Sequence, residues 1–274
     1  MKAKKHFLEG WFEDQVGYFP NIDDPKTFNE KMQWYKLHYN DPLIAKCIDK
    51  ITFKDHIKEV LGSEYIVPTL GVYSNAIEIN FDELPDQFVI KANFGSCSDE
   101  ILVVTNKSKL DIEGTRKTIS SWQKPWWRSA WGGYAFIHPR ILIEKFIEQI
   151  DGQIYDYKIL CFNGEPRYVV VSTNRFIDQT MDFFNLDWEK QDIAYSGFSH
   201  SQKDIEPPKN LSLMIETSRI LAKPFPFVRI DFYETEAMYI GEMTFYPHGG
   251  MRLFDPEEWD YKLGEMLRLP KQPY

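Results

Sequence analysis

Residues 227–250 read FVRIDFYETEAMYIGEMTFYPHGG, with apolar and polar residues alternating on either side of a short polar turn. That alternation is the pattern of an antiparallel hairpin with one buried face. With Thr235 and Glu236 as a two-residue turn, Arg229 lies opposite Glu242 and Asp231 opposite Ile240. Side chains two apart on a strand share a face, so Arg229, Asp231, Glu242 and Thr244 point one way. Val228, Ile230, Phe232, Tyr239, Met243 and Phe245 point the other way and form the core face. One arginine, two carboxylates and a hydroxyl on one patch suit a magnesium ion bridging phosphates. Hard magnesium takes one or two carboxylates with phosphate oxygens, and an arginine neutralises the remaining phosphate charge. The same alternation also fits a solvent-facing ladder of paired charges. If the two carboxylates instead face a cleft and await a cation, they repel each other. Neutralising either then leaves the metal-free protein as stable or slightly more so.

Around this hairpin, a chain of 274 residues with 43% hydrophobic and 16% aromatic residues is long enough to bury a large core and is not of disordered composition. A net charge of -9 argues against nucleic acid as partner, because phosphate backbones are held by basic surfaces. A small phosphorylated ligand needs only a local basic cluster. Cys47, Cys97 and Cys161 are widely spaced, with no metal or redox motif, which fits a reducing cytoplasm. No apolar run reaches membrane-spanning length, and the first residues lack the apolar stretch of a signal peptide. Trp11 and Phe12 leave a peripheral membrane contact open, beside the plainer reading that they pack in a core.

Residues 1–48 read as a helical N-terminal segment. Asp24-Pro25-Lys26-Thr27 starts a helix with an apolar stripe at Phe28, Met32, Tyr35 and Tyr39. A second amphipathic helix runs from Asp49 to a stop at Gly62. The strand QFVIKA then opens into Asn93-Phe94-Gly95-Ser96-Cys97-Ser98-Asp99 and a second strand, EILVVT. A strand, a small-residue loop and a strand form a flap whose N–H groups are able to cover phosphates, with the Lys91 ammonium beside them. The loop is not GxxxxGK[ST]. Trp122, Trp126, Trp127, Trp131 and Tyr134 crowd a loop-rich stretch where packing competes with sugar stacking. RILIEKFIE is a buried strand carrying Glu144. YDYKILCFNGEPRYVVVS is a hairpin turning at Asn163-Gly164, with Asp156 and Lys158 on one strand face. Residues 176–208 read as irregular, and helices follow over Leu211–Ala222 and within EEWDYKLGEMLRL.

The order DK and helix, FVIKANFGS, ILIEKFIE, YDYK, FVRIDFY and GEMTFYPHGG resembles the ATP-grasp superfamily over nearly the whole chain. Within it the resemblance is to the teichuronopeptide-biosynthesis, or TupA-like, group found among bacterial capsule and surface-polysaccharide genes. The resemblance implies an α+β fold, two α/β lobes clamping ATP after a short helical segment. The expected divisions are 1–48, an N-lobe with the flap over 49–143, and a C-lobe with the metal hairpin over 144–274. By similarity, Lys50 and Lys91 contact nucleotide phosphates beneath Gly95 and Ser96 of the flap. Glu144 takes adenine or ribose, and Lys158 faces the phosphates. Arg229 steadies the transferred phosphoryl group, Asp231 and Glu242 hold Mg2+, and Thr244 stands where many such enzymes place an asparagine ligand.

The flap departs from the group, which usually reads close to NHGSG where this chain reads NFGSC. Phe94 removes an imidazole, and Cys97 replaces a glycine and stiffens the loop. The resemblance implies an ADP-forming carboxylate–amine ligase. Its carboxylate is a uronic acid of a sugar nucleotide or surface polysaccharide, and its amine an amino acid or amino alcohol. Two other readings stay open. One is a glycosyltransferase of polysaccharide synthesis, although no clear DxD site stands at a strand end. The other is a non-catalytic nucleotide-binding partner.

Overall fold

The hairpin of residues 227–250 forms, but its register differs from the expected one. In this computed structural model, which describes residues 2–95, 100–122, 132–147, 155–173 and 178–270, β9 (Phe227–Glu234) pairs with β10 (Met238–Thr244) across a three-residue turn, 235–237. Ile240 faces Phe232, Glu242 faces Asp231 and Thr244 faces Arg229. The register shifts between Ile240 and Glu242, which is a bulge at Gly241. A Cβ there would come within 2.7 Å of the Tyr233 ring. The bulge sets Ile240 in the core while returning Glu242 to the polar face. Tyr239, expected in the core, instead pairs with Tyr233 and is half-buried, because the longer turn moves it to the other face.

The chain divides into two compact units, residues 1–41 with 149–274, and residues 42–148. The expected division 49–143 lies within the second unit, whereas 1–48 and 144–274 each run across a unit boundary, at 41/42 and 148/149. The first unit is built on a five-stranded antiparallel sheet ordered β10-β9-β5-β6-β7. Its other strands are β5 (Asp156–Phe162), β6 (Glu165–Thr173) and β7 (Thr180–Phe184). Asn163 (φ 53°) and Gly164 (φ 84°) turn β5 into β6, as the Asn-Gly pair predicts. Residues 180–184 were expected to be irregular. All five are buried, and they form an edge strand whose continuous burial leaves no alternation to read.

The N-terminal segment supplies α1 (Lys2–Val16) and α2 (Phe28–His38) to this unit. Thr27 caps α2 in a capping box with Glu30. Phe28 meets the rings of Phe162, Phe227 and Phe254, joining α2 to the sheet. Gln33 Nε2 donates to the Gly250 carbonyl at 2.6 Å, and the Lys36 ammonium reaches the Gly249 carbonyl at 2.5 Å. Helix α2 thus carries the PHGG loop that follows β10. Helix α6 (Leu211–Ala222) lies against β5, β6 and β9, while α7 (Glu258–Met266) packs on α2. A Cβ on Gly264 would come within 2.3 Å of the Lys26 carbonyl oxygen, so only glycine permits that approach.

The second unit centres on a four-stranded antiparallel sheet, β1-β4-β2-β3. The strands are β1 (Thr69–Tyr73), β2 (Phe88–Ala92), β3 (Ile101–Val104) and β4 (Ile141–Lys145). Phe88, Ile90, Ile141 and Ile143 bury one face in a cluster with Ile119 of α5 (Ile112–Ser121). Helices α3 (Pro42–Ile48) and α4 (Thr52–Val60) complete the unit. No helix among the described residues is long and apolar enough to cross a membrane, and Phe12 is fully buried.

Candidate active site

Pairing of β5 with β9 sets Lys158 opposite Asp231, and pairing of β9 with β10 sets Asp231 opposite Glu242. Period-two alternation therefore aims five side chains at one sheet face. Arg229 grips Asp231 through Nε–Oδ1 and Nη2–Oδ2 bonds, both 2.7 Å. Its Nη2 also donates to Glu242 Oε1 at 3.2 Å and to Thr244 Oγ1 at 3.1 Å. The Thr244 hydroxyl donates in turn to Glu242 Oε1 at 3.1 Å. Lys158 Nζ reaches Asp231 Oδ2 at 2.8 Å and Asp156 Oδ2 at 3.5 Å. Burial pulls the Lys158 ammonium down, but Asp156 and Asp231 outweigh it and hold its pKa above the ordinary 10.5. Burial likewise opposes the Arg229 charge, which Asp231 restores and strengthens.

The expectation that neutralising a carboxylate leaves the metal-free protein as stable or more so assumed carboxylates without cation partners, and the ion pairs above argue against it. Asp231 and Glu242 do not face each other across an empty site. Asp231 is bound to both Arg229 and Lys158 and Glu242 to Arg229, so removing the Asp231 charge leaves two buried cations short of a partner.

Asp231 and Glu242 fit the role of magnesium ligands in number and type, since magnesium uses one or two carboxylates and completes its octahedron with water and phosphate. Among the described residues no cluster of three or more histidine, cysteine, aspartate or glutamate side chains forms an all-protein metal cage. A shared site with phosphate oxygens is the arrangement this donor set can support.

The second unit gathers the other expected residues into two groups. Lys91 Nζ lies 2.6 Å from Glu144 Oε2, and Lys54 pairs with Oε1 of the same carboxylate. Lys91 faces Leu142 on β4 and so sits diagonally from Glu144 on one face. Lys54 also donates to the Val67 carbonyl and to Thr69 Oγ1, each at 2.8 Å. Burial would raise the Glu144 carboxyl, but Lys91 and Lys54 outweigh it and hold it below the ordinary 4.5. In the other group, Lys50 Nζ donates to the Gly95 carbonyl at 2.6 Å. Asn93 is fully buried and donates to Asp49 and the His138 carbonyl while accepting from the Arg140 amide at 2.7 Å. The base of the loop is therefore fixed. Ser96 and Cys97 lie outside the described residues. Phe94 is buried, so its side chain belongs to the core of the unit.

Sequence reasoning gave no role to Lys54, to the nearby His248, or to Asp156, although it set Asp156 on one strand face with Lys158. Asp156 was legible, two residues before Lys158 on the same strand face. Lys54 is reached only through tertiary packing of α4. His248 follows β10 with φ 49°, half-buried against Tyr195 at 4.7 Å between ring centres. Burial, with Arg229, Arg252 and Lys158, pushes its pKa down to about 3, so the ring is neutral.

Two units built on antiparallel sheets, lysines around a buried glutamate in one and the Arg-Asp-Lys-Glu cluster in the other define an ATP-grasp protein. The chain belongs to the TupA-like ATP-grasp family, whose sequence model matches residues 30–268. Similar solved structures include a D-alanine–D-alanine ligase from Bacillus anthracis, 19% identical, with a TM-score of 0.46 over 72% of this chain and 56% of that one. Another is the D-alanine-D-alanine ligase from Coxiella burnetii, 13% identical, with a TM-score of 0.49 over 87% of this chain and 64% of that one. D-cycloserine synthetase DcsG is 15% identical, with a TM-score of 0.44 over 83% and 72%. The chain thus spans less than two thirds of the length of either D-alanine ligase. No curated protein matches the chain.

Proposed function

We propose that this chain is an ATP-dependent carboxylate–amine ligase. A carboxylate oxygen attacks the γ-phosphorus of ATP, the bond to ADP breaks, and an amine displaces phosphate from the acyl-phosphate to leave an amide. The observation that carries this reading is the convergence of Arg229, Lys158, Asp231, Glu242 and Thr244 on one face of the five-stranded sheet. Two cations suit stabilisation of charge on a transferring phosphoryl group, and the two carboxylates would hold a magnesium ion that adds to it.

In this role Arg229 orients the transferred group, held rigid by its two bonds to Asp231. Lys158, kept charged by Asp156 and Asp231, adds a fixed positive charge on the same face. Asp231, Glu242 and the Thr244 hydroxyl would hold magnesium, which when bound neutralises charge on the phosphate oxygens. Lys50, Lys91, Gly95 and Ser96 contribute phosphate contacts; Glu144, expected at adenine or ribose, is ion-paired by Lys54 and Lys91 and is assigned instead to positioning Lys91. The substrate class proposed is a uronic-acid carboxylate of a surface polysaccharide or its sugar-nucleotide precursor. The amine is an amino acid or amino alcohol, the work is done in the cytoplasm, and the support is family association alone.

The test is phosphate release with ATP, magnesium and a panel of uronic acids and amines. Turnover should need both a carboxylate and an amine and should yield ADP. AMP as the stoichiometric product would exclude the acyl-phosphate route, because adenylation releases pyrophosphate. Sugar-nucleotide consumption without ATP would favour a glycosyltransferase.

A further inference from the structure

Beside the phosphoryl cluster of the first unit lies an arginine that the reaction described above does not use. Arg252 is half-buried, and its guanidinium carbon sits 5.1 Å from the centre of the Phe198 ring. Phe198 is 6.0 Å from His248, and His248 is 4.7 Å from Tyr195. The backbone on both sides is tied down. Asn29, itself bonded to the buried Asp260, donates to the Arg252 carbonyl at 2.9 Å, and the Ser196 amide donates to the Leu253 carbonyl at 2.9 Å. Gly197 (φ 87°) passes close enough that a Cβ there would lie 3.6 Å from Arg252 Nη1.

Arg229 Nε and Nη2 and Lys158 Nζ already meet carboxylates or a hydroxyl of the cluster, Asp231, Glu242, Thr244 and Asp156. Arg252 has no carboxylate partner among the described residues, and the neighbouring His248 is neutral. Tyr195 lies in the field of both arginines: burial pushes its hydroxyl up to about 12, while Arg229 and Arg252 oppose the shift. Phe198, His248 and Tyr195 thus form one cluster of rings beside Arg252.

We propose that Arg252 binds the carboxylate of the substrate, its guanidinium seated over the Phe198 ring and its planar fork of donors meeting both carboxylate oxygens. A guanidinium already seated against a ring loses less freedom on forming such a pair, and its planar fork matches a planar carboxylate. A phosphate dianion would call for further cations here, and His248 supplies none. The binding rests on geometry alone; that the bound carboxylate is a substrate rests on the ligase reading.

The experiment is calorimetric titration of the full chain, with magnesium and a non-hydrolysable ATP analogue present, by D-glucuronate, D-glucose and inorganic phosphate. Glucuronate should bind, and glucose at least about 10-fold more weakly, the scale of one charged hydrogen-bonded pair. Arg252→Lys keeps the charge without the fork and should weaken glucuronate about 10-fold or more, as should Arg252→Ala. Both variants should melt close to the parent, because no ion pair is lost. Parent-like glucuronate binding by both variants overturns the assignment. So does a parent that does not bind glucuronate, or one from which phosphate displaces it. If glucuronate binds through Arg252 while no amine yields ADP, the ligase reading fails and this site stands. If ADP forms and Arg252→Ala leaves the KM for the carboxylate unchanged, the ligase stands and this site fails.

Discussion

Lys158 and Asp231 are direct partners on neighbouring strands, and their side chains meet at 2.8 Å while Arg229 holds the same carboxylate through two bonds. Asp231 is thus the anion on which two buried cations depend. Asp231→Asn should lower the stability of the ligand-free protein by about 3 kcal/mol, the lower end of the cost of uncovering a buried pair. Glu242 has a side chain 27% exposed and accepts from Arg229 at 3.2 Å and from Thr244 at 3.1 Å, so Glu242→Gln, which keeps an acceptor oxygen there, should cost less than Asp231→Asn. Both should cut turnover by roughly 10²-fold or more, as loss of one preorganised charge does. Both should also reduce the melting shift caused by magnesium-ATP. Melting curves with and without magnesium-ATP decide it, and a full ligand shift in both variants would make the hairpin a scaffold.

Glu144 gives a pH signature. Lys91 and Lys54 hold its carboxyl below 4.5 despite burial, so the folded state binds that proton less readily than the unfolded chain. The resulting stability is fully present above the ordinary carboxyl range and is lost as pH falls through the folded value. Urea unfolding at neutral and acid pH should show Glu144→Gln less stable than the parent at neutrality, with the gap closing in acid. A constant gap across that range would mean the carboxylate is not what the lysines stabilise.

Phe94 offers a third test. Against the group's usual NHGSG it read as a lost imidazole, which makes Phe94→His with Cys97→Gly a repair. The ring is buried, so the histidine would place a polar group in the core. Phe94→His should cost about 1–3 kcal/mol and gain no activity. A variant as stable as the parent with faster turnover would return Phe94 to the flap.

How far these sites were legible depends on the range of the interactions that build them. Arg229, Asp231, Glu242 and Thr244 share a face by alternation alone, and Lys158 joins them because Asp156-Tyr157-Lys158 alternates in the same way. The bulge at Gly241 was not visible, since it answers to the Tyr233 ring and to the length of the turn. β7 was hidden because burial on both faces removes the polar positions that mark a strand. Lys54 and Arg252 lie far in sequence from the residues they join. Only the folded packing of α4 and of the PHGG loop brings them there.

Lys54 and Lys91 share Glu144, yet their surroundings assign them different work. Lys54 is buried and also donates to the Val67 carbonyl and Thr69 Oγ1, a set of bonds that fixes α4 to the edge of the sheet. Burial lowers its pKa, with Lys91 adding to the shift and Glu144 opposing it. Lys54→Met would strip a carboxylate, a carbonyl and a hydroxyl of one partner at once. It should cost about 3 kcal/mol or more, while the protein that still folds keeps its magnesium-ATP melting shift. Lys91→Met leaves Glu144 paired with Lys54, so the loss of stability should be smaller. Its loss of nucleotide affinity should be larger, because the ammonium proposed to meet phosphate is gone. Urea unfolding gives the first quantity and ATP titration the second. If Lys54→Met loses ATP binding at intact stability while Lys91→Met keeps it, the phosphate contact belongs to α4 and the strand lysine is the anchor.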